Sequence, residues 1–217
     1  MFIAIEGIDG TGKETQAKRL VDYFHSLGKE VLYLDFPAYN SMVGKEIGKL
    51  LAAKDDEINA NTIPPKVMSL LFAMDRLQFK DGILAAQAAG KVIISNRYVM
   101  SSVVLQTARG KPKLTQWIYE LEHVEMGLPK PDCYIVLTGD VNVTKAVKSK
   151  QERDYTTGED QYESNQSLMA KTAELYGRVT LPGSTTLTVN CIKDGWFREK
   201  NDITQDIISK LNKFIRE

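Results

Sequence analysis

Short unbroken apolar runs alternate along the chain with stretches in which apolar residues recur every three or four positions. The first run, Met1 to Glu6, reads as a buried strand. Similar strands are expected from Glu30 to Phe36 (stopped by Pro37), Val92 to Ser95, Asp132 to Thr138 and Thr185 to Asn190. Helical spacing covers Glu14 to Leu27, where Leu20, Val21 and Phe24 share a face and Gly28 closes the end. Further helices are expected from Val43 to Ala52, from Lys66 to Ala89 behind Pro64-Pro65, and from just after the third strand to Ala108. Two more follow, from Leu114 to Met126 and from Ile203 to Ile215. Strands separated by helices define a doubly wound α/β fold with a five-stranded, mainly parallel sheet. No repeat or long linker divides the chain, so residues 1–217 are expected to form one domain.

Residues 148–165 (KSKQERDYTTGEDQYESN) break this texture, being strongly charged and without apolar period. A solvated loop and a mobile lid over phosphates both fit such a segment.

Composition changes the picture little. Hydrophobic residues are 43% and charged residues 26%, an ordinary globular balance. A formal net charge of zero argues against nucleic acid or a membrane surface as partner. Cys133 and Cys191 lie in apolar, strand-like runs, which suits buried thiols better than a disulfide. The run from Phe2 to Ile5 is too short for a signal peptide or membrane span, and a cytoplasmic location is the default. His25 and His123 lack a metal-ligand partner at suitable spacing.

The sharpest chemical signal lies between the first strand and the first helix: Gly7, Ile8, Asp9, Gly10, Thr11, Gly12 and Lys13. Glycines let backbone N–H groups wrap a phosphate, the helix N-terminus faces it, and a lysine adds a charge that can follow a transferred phosphoryl group. Strand before and helix after are the context such a loop requires. The position after the lysine, ordinarily a Ser or Thr on magnesium, is Glu14, and Thr15 lies one helical step further on.

The third strand runs into Asn96, Arg97 and Tyr98, with Ser101, Ser102 and Gln106 beyond. An arginine at the carboxyl end of a strand is well placed to hold a phosphate by two hydrogen bonds. Phe72 and Arg76 stand four apart on an expected helix, so a ring and a forked donor share a face. Together they suit a base; singly, Phe72 suits a core better and Arg76 a surface position or an ion pair.

FIAIEGIDGTGKETQ, LDFP with EIGKLL, LFAMDR, NRYVMSS with LQ, GLPKPDCYIVL and the charged DQYE segment occur here in an order and spacing that resemble the thymidylate kinases over most of the chain. The resemblance implies a P-loop NTPase fold with a mobile lid, ATP and Mg2+ as cofactors, dTMP and dTDP as ligands alongside ATP and ADP, and a homodimer. It implies that Gly7 to Thr15 bind the ATP phosphates, with Lys13 catalytic and Asp9 on the acceptor's sugar. Phe72 would stack on thymine, Arg76 and Gln106 would read its edge, and Arg97 would hold the acceptor phosphate. Phe36, Pro37, Ser101 and Tyr162 would line the same pocket.

Three positions depart from that pattern: Glu14 for the hydroxyl, Asn96 for the Asp preceding the third-strand arginine, and Asp35 for an arginine before Phe36. The first two suggest a relocated charge, with Glu14 and Asn96 as magnesium ligands; a weakened site is the alternative. Members of that family commonly carry a catalytic arginine in the phosphate loop or in the lid; with glycine at position 10, the resemblance implies a lid arginine, and Arg153 is the only one there, with Lys148 and Lys150 as weaker candidates. A kinase for another nucleoside or nucleoside monophosphate, and a nucleotide-binding regulator that has lost catalysis, are the rival readings.

Overall fold

The computed structural model describes residues 1–52, 58–148, 162 and 164–216. Five parallel strands form the central sheet in the order β2-β3-β1-β4-β5. They are β1 (Phe2–Gly7), β2 (Val31–Asp35), β3 (Val92–Asn96), β4 (Cys133–Thr138) and β5 (Thr185–Asn190). β1 is buried throughout and lies between β3 and β4, as an unbroken apolar run demands when helices cover both faces.

One face carries α1 (Lys13–Ser26) and α9 (Lys200–Arg216). Ala17, Leu20 and Phe24 of α1, with Ile203, Ile207 and Leu211 of α9, pack on Ile3, Ile5, Val92, Ile94 and Ile135. The other face packs Phe2, Ala4, Ile93, Tyr134 and Val136 against α4 (Lys80–Ala88), α5 (Val99–Ala108) and α8 (Gln166–Tyr176). A third cluster joins α2 (Met42–Ala52), α3 (Pro65–Leu77) and α5 with Tyr162 and Leu168. Cys133 and Cys191 are buried free thiols, as their apolar surroundings indicate.

Two expected helices are corrected. The stretch from Lys66 to Ala89 is two helices, α3 and α4, separated at Gln78 and Phe79. Phe79 sets its ring edge-on to Phe36 at 5.5 Å, and the Gln78 amide turns back to Asp75 and Ser41, so the helical ladder lapses there. The stretch from Leu114 to Met126 is α6 (Leu114–Tyr119) followed by a π-helical segment, Glu120–Glu125. The wider turn brings Glu122 fully inside the protein.

Three elements go beyond the expected set: α7 (Val141–Lys148), α8, and a hairpin of β6 (Ile192–Lys193) and β7 (Trp196–Phe197). Asn165 caps α8 by accepting the Leu168 N–H at 3.0 Å. The hairpin turns on Asp194 and Gly195, both at positive φ (52° and 79°), the backbone of a tight two-residue turn.

Candidate active site

The glycine-rich loop leaves the carboxyl end of β1, the central strand, and enters α1 at Lys13. Gly7 has φ 142°, and a Cβ there would come within 2.4 Å of the Leu137 carbonyl oxygen. At Gly10, φ is 81° and a Cβ would meet the Thr144 carbonyl oxygen of α7 at 2.2 Å. No side chain fits at position 10 without displacing that backbone. The loop closes on itself: Thr11 Oγ1 donates to the Ile8 carbonyl at 2.8 Å, and Lys13 Nζ to the same oxygen at 2.9 Å. Lys13 is buried, with Asp9 Oδ1 at 3.5 Å from its ammonium. Thr15 lies one residue beyond Glu14 on the first turn of α1.

Arg97 follows β3 with φ 64°, a left-handed conformation that a non-glycine residue holds only under constraint. Its N–H donates to Ile5 O at 2.8 Å, which ties it to β1. Its Nη2 donates to Asp9 Oδ1 at 2.6 Å, and Nη1 lies 3.4 Å from both Gly7 O and Ser101 Oγ. Arg97, Asp9 and Lys13 therefore meet at one mouth. Beneath them the buried Glu6 carboxylate accepts from the Tyr98 N–H, the Ser101 N–H and hydroxyl, and the Tyr176 hydroxyl. Burial still holds that carboxyl above its ordinary range.

On the acceptor side, Arg76 is buried and gripped by Glu122: Nε to Oε2 at 2.6 Å and Nη2 to Oε1 at 2.7 Å. Nη2 also donates to Ser102 Oγ at 2.7 Å. The remaining donor, Nη1, has only a long 3.5 Å contact with Tyr98 O. Phe72 is half-buried against the cluster that contains Ile47, Met68, Ala108 and Tyr162. Phe36 is taken into the core beside Phe79 and Tyr98, and Pro37 is half-buried.

Gln106 is fully buried; its Oε1 accepts from Arg109 Nη1 at 3.1 Å, and its Nε2 has no hydrogen-bond partner. Because arginine only donates, the amide orientation is fixed. Arg109 also donates to Tyr162 Oη at 3.1 Å, Asn61 O at 3.2 Å and Ile63 O at 3.0 Å. Tyr162 in turn donates to Ala60 O at 2.9 Å. Sequence reasoning singled out Arg76, Gln106 and Tyr162 and missed Glu122 and Arg109, which hold them; Glu122 is 46 residues from Arg76, beyond any local spacing, whereas Arg109 stands three residues after Gln106, a helical spacing that could have found it.

The two residues expected to hold magnesium stand at the start of α1 and at the end of β3. Glu14 points along α1, where its exposed carboxylate takes Lys18 Nζ at 2.6 Å. Asn96 Nδ2 donates to Asp35 Oδ1 at 2.8 Å, while Asn96 Oδ1 is buried without a partner. Asp35 keeps an exposed face, yet desolvation pushes its carboxyl above the usual range; the Asn96 amide opposes this, and the Glu14 charge adds to it. Among the described residues no group of three or more His, Cys, Asp or Glu is positioned to hold a metal. Arg153 and the greater part of the segment expected to be a lid lie outside the described residues.

A cavity of about 390 Å³ opens beside the loop between Gly10, Thr11, Gly12, Thr15 and Gln16 on one side and Phe197, Arg198, Glu199 and Lys200 on the other. Phe197 at the end of the β6–β7 hairpin and the residues leading from it into α9 build its far wall. The Asp194-Gly195 pair, a strong hairpin signal, could have revealed it.

A phosphate-wrapping loop with its buried lysine at the end of the central strand, facing an arginine from the next strand, defines a P-loop phosphotransferase. The family model for thymidylate kinase matches residues 5–189, and the chain belongs to the thymidylate kinase family. The chain is 30% identical over 189 residues to a thymidylate kinase of Mycobacterium tuberculosis, an alignment covering 84% of this chain and 87% of that protein. It is 39% identical over 140 residues to a probable thymidylate kinase of Thermococcus kodakarensis, covering 63% and 65%. A thymidylate kinase structure from Candida albicans, 23% identical, superposes with a TM-score of 0.73 over 98% of this chain and 92% of that one, and so shares the fold. The activity that goes with the family is phosphorylation of dTMP. Among the described residues no helix is long and apolar enough to cross a membrane.

Proposed function

We propose that this site transfers the terminal phosphate of ATP to dTMP. The meeting of Lys13, Asp9 and Arg97 at the carboxyl ends of β1 and β3 is the observation that carries the reading. The N–H groups from Gly7 to Thr15 cradle the ATP phosphates, and the cavity walled by Phe197 and Arg198 receives the rest of the nucleotide. Arg97 holds the acceptor phosphate and Asp9 the sugar. Phe72 supplies a ring for the base, Arg76 Nη1 and Gln106 Nε2 supply donors for its oxygens, and Tyr162 closes that end.

An acceptor phosphate oxygen attacks the terminal phosphorus, the bond to ADP breaks, and no strong base is needed because the acceptor is already an anion. Lys13 and Arg97 neutralise the group in transit, with Arg153 as the remaining cation. Magnesium, when bound, neutralises charge on the phosphate oxygens. Asn96 Oδ1, buried and unpartnered, is a hard oxygen suited to it, and the Glu14 carboxylate, the other oxygen expected to hold it, is engaged with Lys18. A cytoplasmic homodimer completes the proposal: Val67 and Met74, exposed on one face of α3, and Leu84 on α4 offer an apolar surface for a second copy.

The test is ADP release, measured with ATP, magnesium and each deoxynucleoside monophosphate in turn. Turnover is expected with dTMP above all other acceptors. ATP binding without dTMP-dependent ADP release overturns the reading.

A further inference from the structure

Asp35 and Asn96 are direct register partners on the neighbouring parallel strands β2 and β3. Residues alternate across a strand, so Asp35 follows Val31 and Tyr33, and Asn96 follows Val92 and Ile94, onto the face that packs against α1. Both therefore reach the carboxyl edge of the sheet beside the helix whose first turn carries Lys13 and Glu14. Their side chains are joined, Nδ2 to Oδ1 at 2.8 Å. This fixes the amide and leaves Asn96 Oδ1 as a buried oxygen with no hydrogen-bond donor to satisfy it. Asn96 is 8% exposed and its partner Asp35 is exposed, so the pair borders the open mouth of the site.

A carboxylate and an unsatisfied amide oxygen side by side are a hard-oxygen pair of the kind a small divalent cation takes, with waters completing its shell. Glu14, by contrast, is engaged with Lys18 on the exposed side of α1. The carboxylate nearest the amide of β3 thus stands one strand over, at the same level of the sheet.

We infer that Asp35, bridged to Asn96, is the carboxylate that serves the divalent cation of the bound nucleotide, and that Glu14 is not. This rests on the kinase reading of the site and deepens it. The identity of residues 35 and 96 then matters as a pair: one carboxylate and one amide, in either order.

The experiment is Mn2+ titration of the protein–ADP complex, followed by loss of the free-ion electron paramagnetic resonance signal and compared with ADP alone. Asp35→Asn is expected to weaken Mn2+ binding about tenfold or more, the range typical when a ligand or its bonded support is lost. The exchange Asp35→Asn with Asn96→Asp is expected to recover affinity to within about threefold of the parent. Glu14→Gln is expected to change it by less than about threefold. Parental Mn2+ affinity in Asp35→Asn, or an exchange variant no better than that single variant, overturns the inference. Asp35→Asn preserves shape and leaves an amide pair that can still hydrogen-bond; should it nevertheless melt early, Asp35→Ser read against Asn96→Ser supplies the same comparison. The kinase reading fails separately, by absence of dTMP-dependent ADP release in the unaltered chain.

Discussion

The acceptor side and the phosphate mouth lie within one site, yet they are built on opposite plans. On the acceptor side, charged side chains are locked to one another in the interior. Arg76 and Glu122 form a two-point ion pair with side chains 3% and 0% exposed, and Asp75 accepts from Ala38 N, Ser41 Oγ and Gln78 Nε2. Arg109 spends its donors on four separate acceptors. At the mouth, the cations rest on backbone carbonyls or on partly exposed carboxylates: Lys13 on Ile8 O, and Arg97 on Asp9 with both side chains 22% exposed. The difference suits what the proposed function asks of each half. Reading the edge of a base requires donors that do not move, and burial with satisfied partners fixes them. Binding a phosphate chain that changes length during the reaction requires cations whose present partners are weak enough to be exchanged.

The sharpest way to break this comparison is to remove one anion from each half. Glu122→Ala leaves the Arg76 guanidinium buried and unpaired, and a loss of about 3–5 kcal/mol in unfolding free energy is expected. Asp9→Ala removes a partner from the partly solvated Arg97, while the buried Lys13 keeps its bond to Ile8 O; a loss below about 1 kcal/mol is expected, with turnover falling instead. Urea unfolding of the two variants measures both numbers. Equal destabilisation would mean that the two halves are not differently built.

That contrast also explains what could be read from the chain. The phosphate loop is local, seven residues with a strand before and a helix after, so its chemistry is written in consecutive positions. The acceptor network is not. Arg76 and Glu122 are 46 residues apart, and Glu122 faces inward only because the helix widens to a π turn at Glu120–Glu125. A regular helix from Leu114 to Met126 gave no reason to expect it. Asp35 and Asn96 were legible only as two separate departures from a pattern; strand register makes them a bonded pair. α8 was hidden by the charged segment before it, although Leu168, Met169, Thr172 and Tyr176 carry a helical spacing behind the Asn165 cap. Phe72 and Arg76 were open to a bland reading and a functional one. The structure realises the bland contacts for both, cluster packing and an ion pair, while leaving Arg76 Nη1 nearly free to donate.

A smaller effect sharpens the acceptor half. Arg109→Met frees the Gln106 amide to rotate without touching the phosphate loop. The KM for dTMP is expected to rise about tenfold, the worth of one charged hydrogen bond, with the KM for ATP unchanged. Arg109→Lys should recover only part of this, because an ammonium cannot reproduce the fork that reaches Gln106, Tyr162 and two carbonyls. A rise in both KM values, or in neither, would show that Arg109 holds the fold generally and not the Gln106 amide in particular.

The smallest effect concerns a proton. His123 follows Glu122 directly, and its Nδ1 lies 2.9 Å from Leu128 O, so that nitrogen carries the hydrogen and donates it. The ring sits edge-on to Tyr119 at 5.1 Å and tilted to Tyr98 at 6.4 Å. Burial lowers its pKa from the ordinary 6.5, the positive charges of Lys130 and Arg76 lower it further, and the Leu128 bond opposes them. A folded-state pKa below the unfolded one means that the unfolded chain binds the proton more readily. His123 therefore contributes stability that is present above about pH 6.5 and is lost as the pH falls through its folded value. At its steepest a single proton changes stability by about 1.4 kcal/mol per pH unit. The parent chain is expected to lose stability faster than His123→Gln as the pH drops below 6.5, read as the difference between their unfolding free energies. Parallel curves would mean that His123 titrates alike in both states, and that the interior around Arg76 and Glu122 is wetter than the rigid half of the comparison requires.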